Sequence, residues 1–127
     1  MITTEEHMEV LHRYKDLLDL INEGFEYIIA SFSNYSKTEG DVILIEIFAA
    51  FHQVIHVNEE LQVLFKQDVR MLSAIHGFDD VVSAAEEMEG LFEKSHLKQE
   101  VVQQILFPAY KSWFEAIVPL LNFKIQH

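Results

Sequence analysis

Three potential metal ligands, His52, His56 and Glu60, follow one another at intervals of four residues. Residues four apart lie on one face of a helix, and imidazole and carboxylate groups are ligands of zinc and similar metals. Helical geometry also places all three outside the apolar stripe of their helix, in the sector of Glu46 and Gln53, where solvent is expected. We expect a solvated surface at this position, and a metal- or small-ligand-binding bundle is the alternative.

Two Glu-x-x-His pairs, Glu9/His12 and Glu93/His96, have the spacing found in di-iron carboxylate bundles. Such a centre needs both pairs to point inward at the same level of the bundle. In an up-and-down bundle these two pairs lie at opposite ends, on the order of 20 Å apart at 1.5 Å per residue. We therefore expect no di-iron chemistry.

The residue types and motifs of the sequence give little support for an enzymatic activity. The sequence has no cysteine, which excludes disulfides, thiolate catalysis and zinc sites with sulfur ligands. It has no nucleophile elbow, P-loop, dinucleotide-binding glycine pattern or His-Glu-x-x-His segment. The many carboxylates are predicted on outward faces of helices, whereas acid–base catalysis pairs them in one cleft. We expect a protein that is not an enzyme and has no cofactor.

Glu86, Glu89 and Glu93 are predicted to share one helix face without a local basic partner. Like charges at this spacing destabilise a helix slightly, so the pattern needs a reason. One reason is solvation of the surface. The other is docking of a basic or amphipathic helix from a partner protein, with charge steering the encounter and an adjacent apolar groove supplying affinity.

The last predicted helix is apolar over more than half of its circumference, and this sector includes Phe114 and Val118. One bundle core cannot cover so wide a sector, which predicts a homodimer through the last helix. Beyond Pro119 the chain still offers apolar residues, which we expect either to contact another chain or to fold back on the bundle.

The elements that position these residues are predicted to be long helices, because the chain has only 4 glycines and 2 prolines and its apolar residues recur every three or four positions. We predict one all-α domain over 1–127, an antiparallel up-and-down bundle of about four helices. Gly77 is expected to end the second helix in a left-handed conformation. Whether that helix is continuous past Lys66 is open, and the last helix should be kinked near Pro108. The predicted helices cover roughly residues 4–33, 41–76, 80–94 and 96–119.

The charge and hydropathy of the chain limit the classes of binding partner that we expect. With 21 acidic against 9 basic residues the formal net charge is −12, so phosphate backbones and anionic lipid headgroups are repelled. The most apolar stretch, 42–51, contains Glu46 and is shorter than the roughly 20 residues of a membrane span. The first residues carry acids where a signal peptide carries Lys or Arg. We expect a cytoplasmic protein that binds neither nucleic acid nor membranes.

Long amphipathic helices, acidic charge, absence of cysteine and absence of a catalytic motif together resemble the small helical-bundle proteins of unknown function from Gram-positive bacteria. In outline the chain is also distantly similar to bundle-type flagellar export chaperones. The resemblance extends over the whole chain and rests on pattern, with no diagnostic motif, so it assigns no functional residue. It implies a non-catalytic protein-binding or accessory, chaperone-like role.

Overall fold

A computed structural model describes residues 4–33 and 40–126. Within these ranges the chain is almost entirely helical and contains no strand, so the predicted all-α bundle is confirmed. A π-helical turn, Val102–Leu106, joins the last two helices without interruption. The helices are α1 (Thr4–Ser31), α2 (Gly40–Leu64), α3 (Val69–His76), α4 (Phe78–Glu86), α5 (Ser95–Val101) and α6 (Phe107–Gln126).

The core is built on the apolar stripe of α1, whose three- and four-residue spacing keeps one face of the helix buried. Phe25 is fully buried at its centre, with ring centroids 6.2 Å from Phe51 on α2 and 5.2 Å from Phe107 on α6. Later residues of α1 contact earlier residues of α2, and the same holds for the contacts of α1 with α6. The buried stripe of α1 consists of Leu11, Tyr14, Leu18, Ile21, Phe25 and Ile28.

Two buried hydrogen bonds cross this core. The Tyr14 hydroxyl donates to Asn58 Oδ1 on α2, and the Tyr110 hydroxyl donates to the carbonyl oxygen of Leu18 at 2.7 Å. Burial raises the pKa of both tyrosines far above the usual range, so both hydroxyls stay protonated donors. Because a buried polar group without a partner is costly, these bonds fix the register of α1 against α2 and α6.

The structure decides the continuity of the second helix past Lys66, which the sequence left open, and divides the predicted span 41–76 into two helices. α2 ends at Leu64 and α3 begins at Val69. Asp68 adopts an extended backbone, and its carboxylate accepts a hydrogen bond from the Met71 N–H at 3.1 Å. Aspartate caps helix starts in this way because its side chain satisfies a backbone donor that has no partner within the helix. The apolar spacing continues across the break, through Leu61, Met71 and Ile75, which is why periodicity did not reveal it.

The boundaries around α4 also differ from the prediction of 80–94. Gly77 has φ −58°, so it is not the expected left-handed cap. A Cβ at Gly77 would lie 3.2 Å from Trp113 Cδ1, so this glycine permits close packing of α6 instead. The left-handed glycine is Gly90, with φ 78°. The chain leaves the helix after Glu86 and turns through residues 87–94.

The last helix extends beyond the predicted 96–119, since α6 passes through Pro119 to Gln126. Leu121 is fully buried, and Lys124 Nζ lies 2.6 Å from Asp68 Oδ2, so the C-terminal turns are held against the bundle. Near Pro108 the Phe107 N–H donates to the Val102 carbonyl, five residues back, in the π-helical turn. A wide turn accommodates the carbonyls that a proline ring displaces. The kink expected there stays a prediction.

Candidate docking groove

An elongated groove lies between α2 and α4. Its first part has a volume of about 330 Å³ and an almost entirely apolar lining. Ile55 and Phe92, each 37% exposed, both border it. The apolar lining consists of Phe48, Phe51, Ile55, Val82, Ala85, Met88 and Phe92.

Aromatic contacts give the closed end of the groove a fixed shape. The Phe48 ring meets Phe92 edge to face, with centroids 5.9 Å apart, and packs on Phe51 at 6.0 Å. Phe51 in turn contacts Phe78, at the start of α4, at 5.6 Å. Edge-to-face aromatic pairs favour one geometry, so this end of the groove is formed before any partner arrives.

The segment 87–94 forms the end wall of the groove. It turns at Gly90, whose positive φ other residues adopt only with strain. Lys98 holds the segment in place, because its buried Nζ donates to the Phe92 carbonyl at 3.0 Å and to Asp41 Oδ1 at 2.8 Å. The same ammonium group lies 5.9 Å from the centre of the Phe92 ring. The wall is therefore fastened to both α2 and α5.

The groove continues toward α3 as a second, more polar part of about 300 Å³. Ile55 and Val82 line both parts, so the two are adjacent along the same pair of helices. Asn58 and Gln62 of α2 provide amides here. From Phe48 to Gln62 the groove follows four turns of α2, about 20 Å at 1.5 Å per residue.

All formally charged side chains that line the groove are acidic. Glu86 and Glu89 border the apolar part, and Glu59 and Asp79 border the polar part. No Lys or Arg is among the lining residues, and the described helices α2 and α4 contain neither residue type. Two histidines, His52 and His76, also line the groove. An apolar floor bordered by four carboxylates complements a segment that is apolar on one face and basic on its edges.

The structure separates the three glutamates proposed for partner binding. Glu86 is the last residue of α4, and Glu89 follows in the turn, where both border the groove. Glu93 is exposed beyond Gly90 and does not line the groove. The prediction that Glu86, Glu89 and Glu93 share one helix face is therefore wrong, because α4 ends before two of them.

The metal-ligand candidates do not converge on one point. His56 Nε2 lies 3.5 Å from Glu60 Oε1, both on an exposed face of α2, whereas His52 lines the groove. Among residues 4–33 and 40–126, no three His, Cys, Asp or Glu side chains are arranged to hold a metal ion. The geometry gives His52, His56 and Glu60 no inward-facing site.

The apolar surplus of the last helix is smaller than predicted. Phe114 and Val118 are half-buried and pack against the core, and the Phe114 ring lies 5.9 Å from Tyr110. One chain covers these two residues in part, because α6 contacts α1, α3 and α4 along its length, whereas Ile105 and Phe123 stay exposed. A homodimer through the last helix would have to use another face of α6.

Sequence reasoning missed the part of the groove that α2 provides. Phe48 and Ile55 belong to the apolar stripe, and periodicity assigns such residues to the core. Their exposure depends on how far α4 extends beside α2. Since α4 ends at Glu86, its turn leaves the groove open between Ile55 and Phe92.

The length of helix α2 bears on the prediction that the chain has no membrane span. It is 25 residues long, and its most apolar 18-residue window has a mean hydropathy of 1.5, with 22% of that window buried. By length and composition it could cross a membrane, although the apolar stretch 42–51 taken alone is too short. One helix of this kind is weak evidence for a membrane span, because mostly buried core helices of soluble proteins and signal sequences meet the same criteria of length and composition. Its six buried residues are Leu44, Ile47, Phe51, Val54, Asn58 and Leu61.

Comparison with known proteins places the chain in a family. A family model described as a domain of unknown function, DUF8042, matches residues 9–116, and the chain belongs to that family. The chain is 29% identical over 113 residues to the uncharacterised protein YvzG of Bacillus subtilis strain 168, an alignment that covers 88% of this chain and 89% of YvzG. No solved structure matches the chain.

Proposed function

We propose that this member of the DUF8042 family is a non-catalytic protein-interaction module, with an accessory or chaperone-like role. Its groove between α2 and α4 binds a basic amphipathic helix of a partner protein. The observation that carries the proposal is the combination of an apolar floor with a rim of Glu59, Asp79, Glu86 and Glu89 and no Lys or Arg in the lining. No comparable observation favours the metal-binding alternative.

The chemistry of the groove defines the partner segment. The pocket beside Phe48 and Phe92 takes one large apolar side chain, and the floor at Ile55 and Val82 takes a second, one or two helical turns away. Lys or Arg side chains along both edges of the bound helix reach the carboxylates of the rim. A length of about 20 Å accommodates about 14 helical residues.

Binding is tested with a synthetic 14-residue helical peptide that has leucines on one face and lysines on both edges, followed by fluorescence anisotropy. We expect saturable binding that weakens as salt is raised, because screening reduces attraction between exposed charges. A matched peptide with glutamate in place of lysine should not bind. Equal binding of the two peptides would contradict the proposed role of charge.

Variants of the protein locate the site. Glu86→Lys/Glu89→Lys should weaken binding at least about tenfold, since it reverses two charges on the rim. The matched control, Asp16→Lys/Glu115→Lys, makes the same change in net charge at exposed positions outside the groove. The proposal is wrong if both double variants weaken binding equally, because the peptide would then respond only to overall charge.

A further inference from the structure

A second cavity, a cleft of about 820 Å³, lies between α6 and the α3–α4 pair. The α6 wall presents Ala109, Ser112, Ala116 and Leu120, which fall on one face of the helix. The opposite wall includes Ser73 and Ala74 of α3. Most of these side chains are small, so the two walls do not fill the space between them.

Trp113 closes the bottom of this cleft. Its Nε1–H donates to the Ala74 carbonyl at 2.8 Å, and Gly77 lies against its ring. The indole therefore joins α6 to α3 at the bottom of the cleft. At its mouth Val69 is 78% exposed, the highest exposure of any large apolar residue described.

The charges of the cleft differ from those of the rest of the molecule. One cationic and one anionic side chain line it, Arg70 near the start of α3 and Asp80 in the first turn of α4. Their backbones are separated by the length of α3, on the order of 10 Å. Neither forms a salt bridge with another residue of the described ranges. This surface is neutral in a chain whose net charge is −12.

We propose that this cleft is the interface of a two-fold symmetric homodimer, in which Arg70 of each chain pairs with the partner's Asp80. In a two-fold interface each contact occurs twice with the roles exchanged, so opposite charges at the two ends of one wall satisfy each other. Two chains of net charge −12 repel over most of their surfaces, which favours contact through the neutral cleft. The exposed Val69 and the half-buried Leu120 supply apolar contact.

The test exchanges the charges of Arg70 and Asp80 by substitution. Molar mass is measured by light scattering at tens of micromolar protein. Wild-type protein should have the mass of two chains. Arg70→Asp and Asp80→Arg should each raise the dimer dissociation constant at least about tenfold, because each places like charges together twice. An equimolar mixture of the two variants should form a heterodimer, and the double variant Arg70→Asp/Asp80→Arg should form a homodimer again.

Control substitutions are Lys66→Asp and Asp16→Arg, which reverse charges at exposed positions outside the cleft and should leave the dimer intact. A wild-type mass of one chain overturns the proposal, as does failure of the mixture and of the double variant to recover the dimer. Native mass spectrometry that finds a monomer with a small molecule bound would also overturn it. Because Arg70 and Asp80 do not line the groove, peptide binding there is measured independently.

Discussion

At the scale of single residues, Asp68 links three helices. It stands between α2 and α3, its Oδ1 accepts the Met71 N–H, and its Oδ2 lies 2.6 Å from Lys124 Nζ on α6. The hydrogen bond from Lys124, followed by that from the Met71 N–H, lowers the pKa of the Asp68 carboxyl below its usual value. A lowered pKa means that the ionised form stabilises the folded state.

The pH dependence of Asp68 follows from the sign of this shift. Its contribution is fully present above the ordinary aspartate pKa of about 4 and is lost as pH falls through the lower folded-state pKa. Asp68→Asn keeps a good helix cap, so it should cost about 1 kcal/mol or less of unfolding free energy at neutral pH. The difference in unfolding free energy between wild type and Asp68→Asn should disappear at acidic pH.

Urea unfolding of wild type and Asp68→Asn between about pH 6 and pH 3 measures the difference directly. Asp16→Asn is the control, because Asp16 is exposed and lies outside the ion pairs of the structure. A cost of Asp68→Asn that stays constant with pH would show that the carboxylate charge contributes nothing.

At the scale of elements, the segment 87–94 determines whether the groove exists. It ends α4, turns at Gly90 and returns Phe92 to the Phe48 ring, where Lys98 holds its carbonyl. A longer α4, as the sequence predicted, would continue past the point where the wall turns. The position of one left-handed residue therefore shapes the candidate binding site.

Gly90→Ala should destabilise the fold by about 1 kcal/mol, because an alanine Cβ makes φ 78° unfavourable. Nothing lies within 4 Å of a Cβ at Gly90, so the cost comes from the backbone alone. Gly90→Asn should cost less, since asparagine tolerates the left-handed region. Thermal unfolding of the two variants compares them, and equal stability of wild type and Gly90→Ala would contradict the conformation.

At the scale of the whole molecule, the acidic excess acts on stability and on binding in opposite directions. A net charge of −12 on a small chain produces self-repulsion in the folded state. The same charge would attract the basic partner segment that we propose for the groove. The neutral cleft and the acidic groove both adjoin α4, so one molecule could bind a second copy and a partner helix at separate surfaces.

Salt separates these two effects. Raising ionic strength from about 0.01 M to about 0.1 M shortens the Debye length from about 30 Å to about 10 Å. The free energy of unfolding should then rise, because repulsion among the carboxylates is screened, while affinity for the lysine-bearing peptide should fall. Chemical unfolding and anisotropy in the same buffers give both quantities, and a change of both in the same direction would contradict the electrostatic account.

Periodicity and composition determined the all-helical fold and the buried stripe of α1. Leu11, Tyr14 and Phe25 are buried as their spacing predicted, since apolar residues that repeat every three or four positions lie on one face of a helix, and that face is buried.

Tertiary structure decided where helices stop. The break at Asp68 and the turn at Gly90 interrupt elements whose apolar spacing continues, because caps and turns depend on partners such as Lys124 and Lys98 from distant segments. The groove and the cleft are gaps between helices, so their shape depends on packing distances that no single helix encodes.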